Sequence, residues 1–286
     1  MYGLARQRAG PGREAGGVGA GGEQRRKIVP SDTERLLFRY CLGLADDAAI
    51  LSLRLGEWTG RAPGLDEDIA LTNIALDLLG QARALYGYAA ELEGEGRHED
   101  ELAYLRAEQD FYNVLLVEQP NGDFTSTMAR QFLFSAVRHP FWLEMRGSAD
   151  GVLARLADET ERQFARHLRL TGDWLIRRGG ETEIGNEDCV AAFSLLWPYF
   201  DELLECDALS EALILRGAAV DPRTIRGDVD ATLRDVLTRA NLVRPTDSFV
   251  RSGGRQGRHS SHLGPLLARM QPMQRAFPGL RWDPMT

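Results

Sequence analysis

The sequence contains almost no lysine. Lys27 is the only lysine among 34 basic residues, and the chain carries a net charge of −8. A nucleic-acid-binding protein needs a basic stripe, and binding to an anionic membrane surface makes a similar demand, so the composition argues against both partners. The other cations are arginines, whose planar guanidinium groups form bidentate pairs with carboxylates and favour ordered ion-pair networks.

Cysteine is scarce too, and long apolar runs are missing. The three cysteines are Cys41, Cys189 and Cys206, and no two of them form a Cys-x-x-Cys pair. An odd number without that spacing argues against a disulfide scaffold and against a thiolate metal site. Cys41 and Cys206 stand among leucines, so we expect both in the core. No segment reaches the roughly 18 apolar residues of a membrane helix. These features predict a cytoplasmic protein.

The sequence also lacks the patterns of other common enzyme classes. It has no nucleotide-binding glycine motif after a strand, no P-loop and no Gly-x-Ser-x-Gly. No run of alternating residues is long enough to predict a strand. Residues 1–30 are rich in glycine and arginine, and we interpret them as a flexible extension that precedes one helical domain over 31–286.

Helical periodicity fills the rest of the chain. We predict helices over 32–55, 65–92, 99–117, from 125 to a kink or end at Pro140, 149–177, 186–204 with a bend at Pro198, 209–216, 223–240 and 261–276. Long helices with short connections predict an all-α antiparallel bundle with additional C-terminal helices. The helix over 65–92 is apolar around most of its circumference, so we expect it to be the central one.

A bundle of this size can hold a di-iron centre, which needs a Glu from two helices and Glu-x-x-His from the other two. The only such match, Glu95 to His98, lies in a glycine-broken turn. The second helix offers only Asn73, Asp77 and Gln81 at helical spacing, and the fifth offers His167 without a carboxylate three residues earlier. The residues leave three interpretations open: an ordinary polar network, pairing with an arginine of a neighbouring helix, or a degenerate metal site.

Several segments carry a specific resemblance. These are residues 54–58, 68–83, 116–124, 220–224, 253–257 and 262–265. In this order they closely resemble the structural C-subunit family of the bacterial phenylacetyl-CoA epoxidases, also called ring-1,2-phenylacetyl-CoA monooxygenases. The resemblance runs from about Tyr40 to Trp282.

The resemblance implies a ferritin-like fold and a role in aerobic phenylacetate catabolism. In that family the C subunit binds no metal and pairs with a homologous A subunit, which carries the di-iron centre. A small bridging subunit and an NADPH-fed reductase complete the complex, which epoxidises the ring of phenylacetyl-CoA. Where the catalytic sister has Glu-Leu-Gly-His, this chain has residues 78–81, with Leu78 and Gln81 in place of the ligands. The resemblance therefore implies no catalytic or metal-binding residue and no cofactor in this chain.

Two groups of residues are candidates for contacts with partners, since arginine and aromatic side chains are enriched at interfaces. The interface candidates are Arg54, Glu57, Trp58, Glu118, Gln119, Asn121, Asp123 and Phe124. The basic-loop candidates are Arg251, Arg255, Arg258, His259 and His262, which would meet an acidic partner or the phosphates of CoA. Two alternatives remain: a di-iron oxygenase with atypical ligands, and an unrelated helical adaptor.

Overall fold

The computed structural model describes residues 30–246 and 249–278. These residues form helices and connecting turns and contain no strand, which confirms the all-α class. The α-helices are α1 (Asp32–Gly56), α2 (Leu65–Glu93), α3 (Glu99–Tyr104), α4 (Leu115–Glu118), α5 (Phe124–Met145), α6 (Gly151–Glu181), α7 (Glu183–Leu196), α8 (Ala208–Ile214), α9 (Pro222–Arg239), α10 (Leu263–Met270) and α11 (Pro272–Ala276). Except for Pro30, the expected extension over residues 1–30 lies outside the described residues.

Two helix pairs build the bundle. α1 packs along α2 and α5 packs along α6, and each pair is joined by a short connection that makes its helices antiparallel. α2 also contacts α6, while α7 and α9 cover α5 and α6 from the other side. The result is a ferritin-like bundle with further C-terminal helices. No helix in the described ranges is long and apolar enough to span a membrane.

The central helix is α5. Its consecutive residues Phe132, Leu133 and Phe134 are at most 2% exposed, and burial continues around the whole circumference. A helix buried on every side must be packed on every side. The described helices α6, α7 and α9 and the turn before α5 supply that cover.

The expectation that the second helix is central is therefore wrong. α2 buries one side against α1, but Leu65, Ile69, Leu76 and Leu79 are between 48% and 74% exposed. A helix with apolar residues around its whole circumference is expected to pack against neighbours on several sides. In the described chain α2 uses only some of these faces, and an apolar stripe is left uncovered. We call these four residues the α2 stripe.

The prediction of one continuous third helix over 99–117 is also wrong. α3 ends at Tyr104, a short 3-10 turn follows at Glu108–Asp110, and α4 spans only Leu115–Glu118. The backbone N–H groups of Tyr112 and Val114 donate to buried carboxylates of α1, at 2.8 Å each. A residue in the interior of a helix would already use its N–H within the helix, so these hydrogen bonds require an irregular segment here.

Several smaller expectations are resolved as well. α5 does not end at Pro140 but runs on to Met145. The single helix expected over 186–204 with a bend at Pro198 is wrong, because α7 ends at Leu196 and two 3-10 turns follow it. The single last helix is in fact two, α10 and α11. Cys41 is fully buried as expected, whereas Cys206 is half-buried.

We predict that Phe132→Ala lowers the free energy of unfolding by about 3–5 kcal/mol, since it opens a cavity on the central helix. Leu79→Ala, on the exposed stripe of α2, is the matched control and should change it by about 0.5 kcal/mol or less. Urea unfolding of the isolated chain measures both. Equal losses would mean that α2 and α5 are equally buried in solution.

Candidate functional site

The residues that the sequence analysis gave as a degenerate metal site lie on α2 and α6, which we call the α2–α6 position. Leu78 and Gln81 are buried on α2, and Phe164 and His167 are buried on α6. The Phe164 ring packs edge-on against the His167 imidazole at 5.4 Å. The place three residues before the histidine is thus filled by an aromatic ring, which ligates no metal.

His167 has a partner within the protein. Its Nε2 lies 2.9 Å from Oδ2 of Asp77 on α2, at a seam that lines an open groove of about 350 Å³. Burial lowers the pKa of His167, while the hydrogen bond to Asp77 opposes that shift. The imidazole is therefore neutral near pH 7, with its Nε2–H donating to the carboxylate. Its Nδ1 is buried and has no hydrogen-bond partner.

These residues do not fit a di-iron centre. Within residues 30–246 and 249–278, no group of three or more His, Cys, Asp or Glu side chains could hold a metal ion. Of the four degenerate positions, Asp77 and His167 lie together, while Asn73 is exposed and Gln81 is buried. His98 precedes α3 as its N-cap residue, so the Glu95 to His98 match lies outside the long helices of the bundle. We derive no metal chemistry from this position.

The second cluster is a pair of adjacent carboxylates inside α1. Asp46 and Asp47 are 0% and 1% exposed. Asp46 forms an ion pair with Arg106 and accepts a hydrogen bond from the Tyr86 hydroxyl at 2.6 Å. Burial alone would lower the pKa of Arg106, but Asp46 raises it above its usual value, so the guanidinium stays charged.

Asp47 brings two arginines together. It forms ion pairs with Arg138 of α5 and, at 2.6 Å, with Arg255 of the C-terminal loop. Arg255 also donates to the carbonyl oxygens of Gly43 and Tyr112, at 2.8 and 2.7 Å. Arg255 was a candidate for contact with a partner, but its guanidinium instead joins α1, α5 and the loop within the chain.

His259 from the same loop is also internal. Its Nδ1 lies 2.9 Å from Glu118 Oε2, and its Nε2 lies 2.9 Å from the carbonyl oxygen of Phe111. Burial lowers the pKa of His259, but the bonds to Glu118 and Phe111 outweigh it and raise the pKa above the ordinary value. Both ring nitrogens face acceptors, so the ring is an imidazolium that donates twice.

The remaining members of the basic loop differ in exposure. Arg251 and Arg258 are exposed, and His262 is half-buried. The hypothesis that this loop meets an acidic partner or CoA phosphates now depends on the two exposed arginines, and it stays a prediction.

The interface candidates form a buried support around the turn between α4 and α5. Arg54 donates to the carbonyl oxygen of Glu118 at 2.6 Å, and Trp58 Nε1 donates to Thr127 at 2.8 Å. Phe124 packs edge-on against Trp58 at 5.2 Å. The Gln119 and Asn121 acceptors are held by Arg130, and Asp123 caps α5.

Asp123 is exposed, and Glu57 is partly exposed, with 24% of its side chain accessible. Glu57 accepts from Asn121 at 3.0 Å and pairs with Arg269 at 2.6 Å. It also lines a groove of about 880 Å³ together with Leu76 and Leu79 of α2. The buried support therefore fixes a carboxylate at the edge of the uncovered side of α2.

Glu202 is a central residue that sequence reasoning missed. It is 2% exposed and accepts three backbone N–H groups, from Leu115 at 2.5 Å, Gly253 at 2.9 Å and Gly254 at 2.8 Å. Burial raises its pKa to about 7, and the N–H donors oppose that shift. Asp46, Asp47, Arg106 and Arg138 were missed as well. One feature of the sequence could have revealed them: these charged residues stand at positions where the helical pattern places apolar, core-facing residues.

Taken together, the fold and these clusters define a ferritin-like helical protein in which the described buried carboxylates are held by arginine, histidine and backbone donors. The chain belongs to the family described as Phenylacetic acid catabolic protein, whose model matches residues 23–282. A relative from Escherichia coli (strain K12) is 44% identical over 246 residues, which cover 86% of this chain and 99% of that protein. The name of that relative designates it as the C subunit of the 1,2-phenylacetyl-CoA epoxidase.

We predict that Asp47→Asn lowers the free energy of unfolding by about 3–5 kcal/mol, because it leaves Arg138 and Arg255 buried without a counter-charge. Asp77→Asn is the matched control. Its carboxylate is 28% exposed and faces a neutral histidine, so the loss should be about 1 kcal/mol or less. Urea unfolding distinguishes the two, and a larger loss for the Asp77 variant would contradict this assignment.

The Glu118–His259 pair predicts a dependence on pH. A raised histidine pKa contributes stability that is complete below about pH 6.5 and is lost as pH rises through the folded-state value. The difference in unfolding free energy between wild type and His259→Gln should therefore shrink from about pH 6 to about pH 9. A difference that stays constant over that range would show that folding does not raise the pKa of His259.

Proposed function

We propose that this chain is the non-catalytic structural subunit of a phenylacetyl-CoA 1,2-epoxidase. In this proposal it takes part in phenylacetate catabolism in the cytoplasm. It pairs with a catalytic A subunit that holds the di-iron centre, in a complex that also contains a small bridging subunit and a reductase. The name of the relative from Escherichia coli supports membership of such a complex, since it designates one subunit of an epoxidase.

One observation carries the non-catalytic assignment. At the α2–α6 position, Phe164 stands where a ligating carboxylate would be needed, and His167 donates to Asp77 at 2.9 Å. A di-iron bundle needs carboxylates from four helices directed at one point. The described carboxylates of α1 are instead held by arginines and backbone N–H groups.

The α2 stripe supports the pairing. Its members follow each other at intervals of four, seven and three residues, which is the heptad spacing of a helix that packs lengthwise on another helix. Large exposed apolar patches on soluble proteins mark interaction sites.

The decisive experiment is co-expression of this chain with its neighbouring genes, a pull-down through this chain and iron analysis of the separated subunits. We expect the sister subunit to carry about two irons per chain and this chain to carry far fewer. About two irons in this chain would instead favour the alternative of a di-iron oxygenase with atypical ligands. Failure to capture any iron-binding sister would favour the adaptor.

We further predict that Leu76→Glu combined with Leu79→Glu sharply reduces recovery of the sister subunit, because two charges enter the apolar seam. Both side chains are exposed, so the isolated variant should unfold within about 0.5 kcal/mol of wild type. Leu215→Glu, at a position 88% exposed, is the matched control and should leave recovery unchanged. Normal recovery with the double variant would place the interface elsewhere.

A further inference from the structure

Three arginines share one carboxylate at the edge of the groove beside α2. Glu57 lies 2.6 Å from Arg269 of α10 and, at the longer distance of 3.4 Å, from Arg54 of α1. Arg130 of α5 belongs to the same group, since Arg130 and Glu57 both bind the side chain of Asn121. We call Arg54, Arg130, Arg269 and Glu57 the arginine cluster. Three guanidinium groups and one carboxylate leave an excess of two positive charges.

Two of these arginines are buried. Arg130 is 1% exposed and Arg54 is 6% exposed. Arg130 donates to the carbonyl oxygen of Gln119 and to Oδ1 of Asn121, at 2.5 Å each, and both acceptors are neutral. Its Nε is buried and has no hydrogen-bond partner among the described residues. Burial and, after it, the charge of Arg54 lower the pKa of Arg130 to about 9, so the guanidinium is still charged at pH 7.

The neighbouring carboxylates already have other partners. Glu118 is the further carboxylate whose charge acts on Arg54. Its two oxygens, however, bind the His259 ring at 2.9 Å and the backbone N–H of Ser260 at 2.6 Å. Asp47, also on α1, forms ion pairs with two arginines of its own. A buried charge without a nearby opposite charge is costly, and the described chain supplies none that balances the arginine cluster.

The arginine cluster reaches the surface where the α2 stripe is uncovered. Glu57 lines the groove of about 880 Å³, and the wall of that groove includes Leu76 and Leu79 of the α2 stripe. Thr59 lines the same groove and is exposed. The side chain of Arg269, in contact with Glu57, is 61% exposed. A protein seated on the α2 stripe would displace water here, which strengthens the effect of the unbalanced charge on whatever group it brings.

We propose that the partner covering the α2 stripe brings a carboxylate side chain to Arg269 and so balances the charge of the arginine cluster. Guanidinium and carboxylate groups form strong, geometrically specific paired hydrogen bonds. Complementary charges at an interface fix its register, which an apolar stripe alone leaves loosely determined. The carboxylate would therefore fix the position of the partner along α2. This inference rests on the proposed function, because it names the chemistry of one contact with the sister subunit.

A carboxylate introduced by mutation tests the charge excess. Thr59→Glu places a negative charge in the groove beside Glu57, so it should raise the urea midpoint of the isolated chain by supplying a counter-charge. The same change should raise the Kd for the purified sister subunit at least about tenfold, because it repels the carboxylate of the partner. A folding defect cannot raise stability and lower affinity together. Thr59→Gln is the matched control and should leave the midpoint and the Kd close to those of wild type.

Removal of the exposed cation is the complementary test. Arg269→Gln should raise the Kd about tenfold at low salt, and the difference from wild type should shrink as sodium chloride rises to about 0.5 M. Arg239→Gln is the matched control, since Arg239 is 55% exposed and is also paired with a carboxylate. It should leave the Kd unchanged. Biolayer interferometry with the immobilised full chain measures each Kd.

The outcomes separate this inference from the proposed function. Tight binding of the sister subunit that neither Thr59→Glu nor Arg269→Gln weakens would overturn the inference and leave the proposed function in place. Tighter binding by Thr59→Glu would show that the partner brings a cation, and an unchanged or lower urea midpoint would show that the cluster has no charge excess; each overturns the inference. A wild-type chain that binds no sister subunit would overturn both.

Discussion

Two adjacent buried carboxylates determine much of this structure. Asp46 and Asp47 lie on one turn of α1, and as neighbours in sequence they point in different directions around the helix. Asp46 holds Arg106 and the irregular segment before α4, while Asp47 holds Arg138 of α5 and Arg255 of the distant C-terminal loop. Charges without water or partners are very costly in a protein interior, so every segment that supplies a donor is bound to its place.

This constraint explains why the sequence predicts some elements well and others badly. The boundaries of α1, α2, α6 and α9 follow from local capping and periodicity, and they agree with the structure closely. The segment over 99–117 has good helical periodicity, yet Tyr112 and Val114 give their N–H groups to the α1 carboxylates. Local propensity is a weak signal when a buried charge many residues away needs those donors.

The same distinction holds for the site. The polar positions Asn73, Asp77 and Gln81 on α2 and His167 on α6 were predictable from helical spacing, but the contact between Asp77 and His167 was not. The roles of Arg255 and His259 were not predictable either. A cluster of arginine and histidine in a glycine-rich loop has the composition of an exposed basic patch, and nothing local reveals that Asp47 and Glu118 lie inside the bundle as its partners. A short stretch of sequence does not show which distant charged residue will become its partner in the fold.

The position of α5 and α2 shows how an apolar helix relates to assembly. Both helices are rich in apolar residues, but α5 is enclosed by its own chain and α2 is not. The number of apolar residues on a helix indicates how much apolar surface must be removed from water. Neighbouring helices of the same chain cover only part of that surface. The uncovered remainder on α2 belongs to the α1–α2 pair, and α7, a helix that covers α5 and α6, carries exposed apolar residues as well. The buried carboxylates hold the bundle together internally, and the uncovered faces are the parts of its surface with the character of a binding site, since binding a partner needs an ordered surface and not a reactive centre.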